Sequence, residues 1–108
     1  MTEQVRRYGP HEIAFRRRMD RFSVFMSAAR YQLSSAGGLV DVAINKIYPD
    51  LLTSLTRMDR VRARAKMFHR SMTEAALAEN ERDAQLMLLH LDCCEDILRP
   101  AMDRGDAA

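Results

Sequence analysis

Two histidines, His69 and His90, stand 21 positions apart in a chain that has one other histidine. Arg62, Lys66 and Cys93 lie near them in the sequence and carry further groups that could take part in a site. Imidazole, thiol and cationic side chains can bind a metal ion, bind an anion, or pack at the edge of a core with their nitrogens hydrogen-bonded. All three interpretations are open from the residue types alone.

A metal site needs three or four protein ligands, and His69, His90 and Cys93 supply at most three. Arg62 and Lys66 would repel a cation, whereas their positive charge favours an anion. As the functional interpretation we therefore predict a ligand-binding site for a small organic acid, formed by Arg62, Lys66, His69 and His90, without a metal and without a cofactor.

The serines, cysteines and histidines show no spacing that indicates a nucleophile, a base and an orienting residue. The sequence therefore predicts no catalytic residues, and we expect the protein not to be an enzyme. Binding without catalysis is the class of function that remains.

Helices must position these side chains. Over residues 11–35, apolar residues recur at spacings of four and three, which predicts an amphipathic helix with one apolar stripe: Phe15, Met19, Phe22, Met26, Ala29 and Leu33. Gly37 and Gly38 predict a break, because glycine lowers helix propensity and permits positive φ. A short helix over 39–47 should follow and end before Pro49.

Helical spacing continues over residues 50–79, as one helix or as two. Asn80 is predicted to close this segment, and a last helix over 81–99 should end before Pro100. A helix rises about 1.5 Å per residue, so in a hairpin that turns at Asn80, His69 and His90 lie about 16 and 15 Å from the turn and face one another.

The predicted fold class is all-α, an antiparallel helical bundle of four to five helices. A chain of 108 residues that is 47% hydrophobic and 30% charged is typical of one globular domain. We predict that the domain covers residues 11–100, with disordered tails at 1–10 and 101–108.

Two observations bear on location. The longest uncharged apolar run, Leu86 to Leu89, is too short to cross a membrane, and no apolar stretch follows the basic start as in a signal peptide. Cys93 and Cys94 are adjacent in a predicted helix, where their side chains diverge by about 100°, so we expect free thiols. A cytoplasmic protein without membrane contact is the expectation.

Charge is distributed unevenly along the chain. Residues 1–35 carry seven Arg and three acids, whereas residues 78–108 carry three Arg and eight acids. Either the acidic end lies against basic helices within one fold or one dimer, or Arg16, Arg17, Arg18 and Arg21 form a nucleic-acid surface. The aromatic residues near that cluster fit the core stripe, so we expect no sequence-specific DNA binding by this chain alone.

Long helices with wide apolar faces in so short a chain leave surface that one copy can hardly cover. We therefore predict a homo-oligomer, in the form of a dimer.

Three runs resemble the later helices of the FCD effector-binding domain of GntR-type bacterial regulators: YPDLL at 48–52, HRSMTEA at 69–75 and MLLHL at 87–91. Phe22 and Ser23, with Met26 and Ala29, are similar to an earlier helix of that domain. The resemblance covers about residues 15–98. It implies an all-helical, non-catalytic domain of a bacterial transcription regulator that binds a small acidic metabolite and dimerises.

In that family an Asp and three His commonly bind a metal that helps to hold the carboxylate. Only His69 and His90 match; Ser23 and Met19 occupy the positions of the first His and of the Asp. The resemblance thus implies a divergent member with a degraded metal site and without the family's DNA-binding head.

An alternative function is a small helical protein-interaction module, an adaptor or a chaperone. The chain contains eight methionines, whose flexible side chains could form a groove for a partner helix.

Overall fold

The computed structural model describes residues 7–33, 36–68 and 72–104, except for the side chain of Arg104. These residues form no strand and three helical segments: α1, Pro10–Leu33; a continuous second segment made of α2, Gly38–Val42, a π-helical turn, Ala43–Ile47, and α3, Tyr48–Met67; and α4, Glu74–Arg104. The all-α prediction is confirmed. The predicted number of four to five helices is not, because the described helices are joined into three segments.

The first helix follows its apolar stripe. Pro10 stands at its first position, where a missing N–H costs nothing. The six residues of the predicted stripe are all buried, which confirms this helix over 11–33. Residues 34 and 35, the predicted end, lie outside the described residues.

The N-terminus of α1 is capped by a side chain from the last helix. The backbone N–H groups of His11 and Glu12 donate to the carboxylate of Glu81 at 3.2 and 2.8 Å. A carboxylate at this position satisfies orphan N–H groups and complements the helix dipole.

The predicted break at the paired glycines is present. Gly37 and Gly38 have φ of 73° and 58°, in the left-handed region that favours glycine. The predicted helix end before Pro49 is wrong, since the chain remains helical through this point. Proline has no N–H to donate to the preceding turn, and the chain makes a wider π-helical turn just before it, with the Tyr48 N–H donating to the Ala43 carbonyl.

The turn predicted at Asn80 is also wrong. Asn80 lies inside α4, buried at 1% exposure, and the second segment ends earlier, at Met67. Helix α4 begins instead at Glu74, and Thr73 precedes it as the N-cap, since its Oγ1 accepts the Ala76 N–H at 3.0 Å. At the other end, Pro100 lies within α4 rather than marking its end.

Contacts between side chains give the directions of the helices. The pairs are Glu12 with Arg62 and Ser23 with Tyr48 between α1 and α3, and His11 with Glu81 and Arg18 with Glu95 between α1 and α4. Consecutive segments therefore run antiparallel, while α1 and α4 run in the same direction. Their buried faces meet in one core, and the molecule measures 47 × 23 × 21 Å.

Along the ranges that the structure describes, no helix combines the length and the apolar character needed to cross a membrane. The predicted tails fall largely outside these ranges, at residues 1–6 and 105–108, and the domain boundaries remain a prediction.

Candidate functional site

Arg62, the first residue of the predicted acid site, is engaged by the protein itself. Its Nε donates to Glu12 Oε2 at 2.8 Å, its Nη2 donates to Glu12 Oε1, and its Nη1 donates to the carbonyl of Arg7 at 2.9 Å. The guanidinium carbon also lies 3.7 Å from the centroid of the Tyr8 ring, within cation–π range. All three nitrogens have partners within the protein, so the Arg62 guanidinium is not available to bind a small acid.

Glu12, the partner of Arg62, is fully buried at 0% exposure. Its carboxylate also accepts from Arg16 Nε at 3.0 Å and from Asn80 Nδ2 at 3.3 Å. Burial acts to raise the pKa of Glu12, but the hydrogen bonds from Arg62 and Arg16 outweigh burial and lower the pKa from its ordinary value. This buried cluster joins α1, α3 and α4, and its role is structural.

Two other residues of the predicted site are described. Lys66 is exposed on α3, and His90 is partly buried on α4. His69 lies outside the described residues. The geometric reason for pairing the two histidines, a hairpin turn at Asn80, does not exist, because α4 continues through that residue.

The register of α3 against α4 also separates His90 from Arg62. Asn80 donates to the Met58 carbonyl at 3.4 Å, so these two residues are level. Arg62 lies four residues along one direction and His90 ten residues along the other. At about 1.5 Å per residue, they stand about 21 Å apart along the bundle. The fold therefore separates His90 from Arg62 and Lys66, which lie one turn apart on α3.

The cysteines do not extend the site. Both are free thiols, and Cys94 Sγ donates to the Ala43 carbonyl at 3.6 Å. Burial, followed by the neighbouring Cys93, raises the pKa of Cys94 to about 12. Among the described residues, no group of three or more His, Cys, Asp or Glu could hold a metal ion.

The acidic last helix is largely neutralised inside the fold. Its carboxylates form ion pairs with arginines earlier in the chain: Arg7 with Glu74, Arg18 with Asp92 and Glu95, and Arg57 with Asp83. Asp96 pairs with Arg99 on α4 itself. Charge compensation within one fold, one of the two interpretations of the uneven charge, is therefore present.

A groove between α3 and the start of α4 holds about 460 Å³ and is the strongest candidate for a site. We call it the arginine groove. It is lined by three arginines, four apolar residues, one threonine and one acid: Arg57, Arg60, Arg64, Val61, Ala65, Phe68, Ala76, Thr73 and Glu79. Its volume is within the range of sites that bind small molecules or parts of larger partners.

One end of the arginine groove is fixed by Arg57. Its Nε and Nη2 donate to the two carboxylate oxygens of Asp83 at 2.9 and 3.0 Å, and its Nη2 also donates to Ser54 at 2.7 Å. A forked pair of this kind is geometrically specific. Arg57 therefore joins α3 to α4 and is occupied by that contact.

Arg60 and Arg64 are different, because both are exposed and neither side chain forms an ion pair or hydrogen bond with any described residue. They stand four residues apart on α3, which places them side by side on one helical face. The floor beside them is apolar and partly buried, formed by Val61, Ala65 and Ala76. Two cations over such a floor suit an acidic group attached to an apolar body.

Phe68 closes the other end of the arginine groove. Its side chain is 61% exposed just after α3 ends. The sequence left Arg60 and Arg64 out of the predicted site. The sequence does contain a pattern that indicates them: Arg57, Arg60 and Arg64 are spaced at i, i+3 and i+7, which puts three cations on one face of a helix.

The basic cluster on α1 does not form one surface of free cations. Arg16 and Arg18 are held in ion pairs with acids of α3 and α4, while Arg17 and Arg21 are exposed. Neither Arg17 nor Arg21 lines the arginine groove.

Comparison with protein-family models gives no match, and comparisons with curated proteins and with solved structures give no significant match either.

Proposed function

We propose that this protein is a non-catalytic binding module that holds an acidic ligand in the arginine groove. The observation that carries the proposal is the pair Arg60 and Arg64, two exposed guanidinium groups without a partner among the described residues, above an apolar floor. Guanidinium groups bind carboxylates and phosphates in planar, two-bonded geometry.

The proposed ligand is an acid, as the sequence predicts, but the proposed site is formed by other arginines. Arg62 is used by Glu12, and the acid-binding cations are instead its neighbours on the outer side of α3. Recognition of an acid therefore remains the proposed function, and a place in a transcription regulator and a dimeric state remain predictions.

A groove rich in methionine is less well supported. Met19, Met26, Met58, Met72 and Met87 are all buried, so they fill the interior and are not available to a partner. Among the described residues, Met67 at the end of α3 is the only methionine with an exposed side chain.

The test uses a small fluorescent acid, 1-anilinonaphthalene-8-sulfonate, which combines a sulfonate with an apolar ring system. Titration into the full chain should give saturable binding. Arg60→Gln with Arg64→Gln should weaken it about 10-fold or more, because each charged hydrogen bond contributes roughly 1.5–3 kcal/mol.

The matched control is Arg17→Gln with Arg21→Gln, which removes two exposed arginines of the same spacing from α1. This control should bind the probe as the parent does, and circular dichroism should show that both variants are folded. Equal loss in both variants, or no loss in either, would mean that the arginine groove is not the acid site.

A further inference from the structure

We infer that the natural occupant of the arginine groove is an acidic amphipathic helix of a partner protein, which presents two carboxylates one helical turn apart. This inference rests on the proposed function and specifies its ligand. Helix-in-groove docking is a common mode of recognition, in which an apolar face is inserted and the flanking charges set the register.

The spacing of the two free cations is the first argument. Residues four apart on a helix have Cβ atoms about 6 Å from one another. A single small acid engages both guanidinium groups only when the two side chains converge on it. Two carboxylates at i and i+4 of a partner helix have the same spacing and can engage Arg60 and Arg64 together.

The length of the groove is the second argument. Its lining on α3 extends from Arg57 to Phe68, a rise of about 16 Å or three helical turns. A small metabolite would cover one part of this length, whereas a partner helix would cover all of it. At the Phe68 end, the side chains of Phe68 and Met67 are 61% and 67% exposed. A partner helix would give both of them an apolar contact.

The charge of α4 is the third argument, and it speaks against docking of a second copy through that helix. The acids of α4 from Glu74 to Asp96 are largely engaged in ion pairs within their own chain. A second copy that docked through α4 would have to break such pairs to supply most of its carboxylates. We therefore assign the acids that bind Arg60 and Arg64 to another protein.

The one acid of the lining fixes how that helix is oriented. Glu79 lies on the α4 side of the groove, opposite the arginines of α3. Carboxylates of the partner would be repelled by Glu79 and attracted by Arg60 and Arg64. The partner helix therefore directs its acids toward α3 and its apolar face toward Val61 and Ala65.

The experiment uses a fluorescein-labelled helical peptide of fifteen residues with glutamates at i and i+4 beside a leucine stripe. A second peptide of the same composition has the glutamates at i and i+2, on different faces. Fluorescence anisotropy with the full chain should show binding of the first peptide about 10-fold tighter than the second, since one charged contact is lost.

Charge reversal gives the decisive comparison. Arg60→Glu with Arg64→Glu should abolish binding of the glutamate peptide and create binding of a lysine version. The matched variant Arg17→Glu with Arg21→Glu should leave the affinity within about twofold of the parent, because exposed charges outside the contact contribute little.

Three results would overturn the inference. Equal affinity for the two glutamate peptides would show that only net charge matters. Binding of anilinonaphthalene sulfonate at Arg60 and Arg64 without binding of the helical peptide would leave the proposed function standing and remove the helix as ligand. Sedimentation showing a dimer that Arg60→Glu with Arg64→Glu converts to monomer would identify a second copy as the occupant.

Discussion

Glu12 and Arg62, fifty residues apart in the chain, form a forked ion pair between α1 and α3 in which the carboxylate is fully buried. A buried carboxylate is stable only when its charge is compensated and its oxygens are hydrogen-bonded. Arg16 and Asn80 supply the remaining donors. The pair therefore fixes how three helices meet and withdraws Arg62 from ligand binding.

Replacing Glu12 with Gln should destabilise the protein by about 3–5 kcal/mol, because it leaves the Arg62 charge uncompensated in a partly buried position. Urea unfolding followed by circular dichroism measures this change. Glu79→Gln removes an exposed acid and should stay within about 0.5 kcal/mol of the parent. Similar changes in unfolding free energy for both substitutions would show that the buried ion pair stabilises the fold no more than an exposed acid does.

Stability should fall in acid because of the same residue. The pKa of Glu12 is lowered in the folded protein from an ordinary value of 4.5. The stabilisation that this shift provides is present above the unfolded-state value and is lost as the pH falls through the lower folded-state value. Unfolding free energies measured between pH 7 and pH 3 should therefore decline below about 4.5. The decline should be shallower in Glu12→Gln, and parallel curves would refute this assignment.

The two thiols should react at very different rates. Cys93 is exposed, whereas Cys94 is buried, donates to Ala43 and has its pKa raised to about 12. A disulfide reagent at pH 8 should therefore modify one thiol per chain rapidly and the second only on unfolding. Cys93→Ser should remove the rapid phase. Two rapid thiols in the native protein would show that Cys94 is accessible.

A methyl group at Gly9 should weaken the cap of α1. A Cβ at this position would lie 2.0 Å from Cδ of Glu81, so the Glu81 side chain must move and its hydrogen bonds to α1 are lost. Gly9→Ala should cost about 1–2 kcal/mol, the value of a helix cap. In a Glu81→Ala background the same substitution should cost much less. If the destabilisations caused by Gly9→Ala and Glu81→Ala were additive, Gly9 would have no role in the cap.

Much of the fold follows from local patterns. The stripe from Phe15 to Leu33 and the break at the paired glycines depend on side-chain spacing and backbone freedom, which the sequence displays directly. The turn predicted at Asn80 failed because tertiary contacts outweigh its preference for helix ends. Its amide is buried and donates to both Glu12 and Met58.

The candidate site was less predictable, because arginines that look alike in the sequence have different contacts in the fold. Arg60, Arg62 and Arg64 alternate along α3 and look alike in the sequence. Only the packing shows that Arg62 turns toward Glu12 while the other two face the groove. The position of α4, which begins at Glu74 and not after Asn80, decides which residues line the opposite wall.

The cap on α1 also bears on the order in which the chain acquires its structure during synthesis. The N–H groups of His11 and Glu12 receive their acceptor from Glu81, about seventy residues later. The ribosome releases the N-terminal residues long before that acceptor exists. We therefore expect α1 to remain frayed at its start until α4 has emerged. Hydrogen exchange should show rapid exchange at His11 and Glu12 in a fragment that ends before Glu81, and slow exchange in the full chain. Slow exchange in the fragment would show that α1 is completed locally.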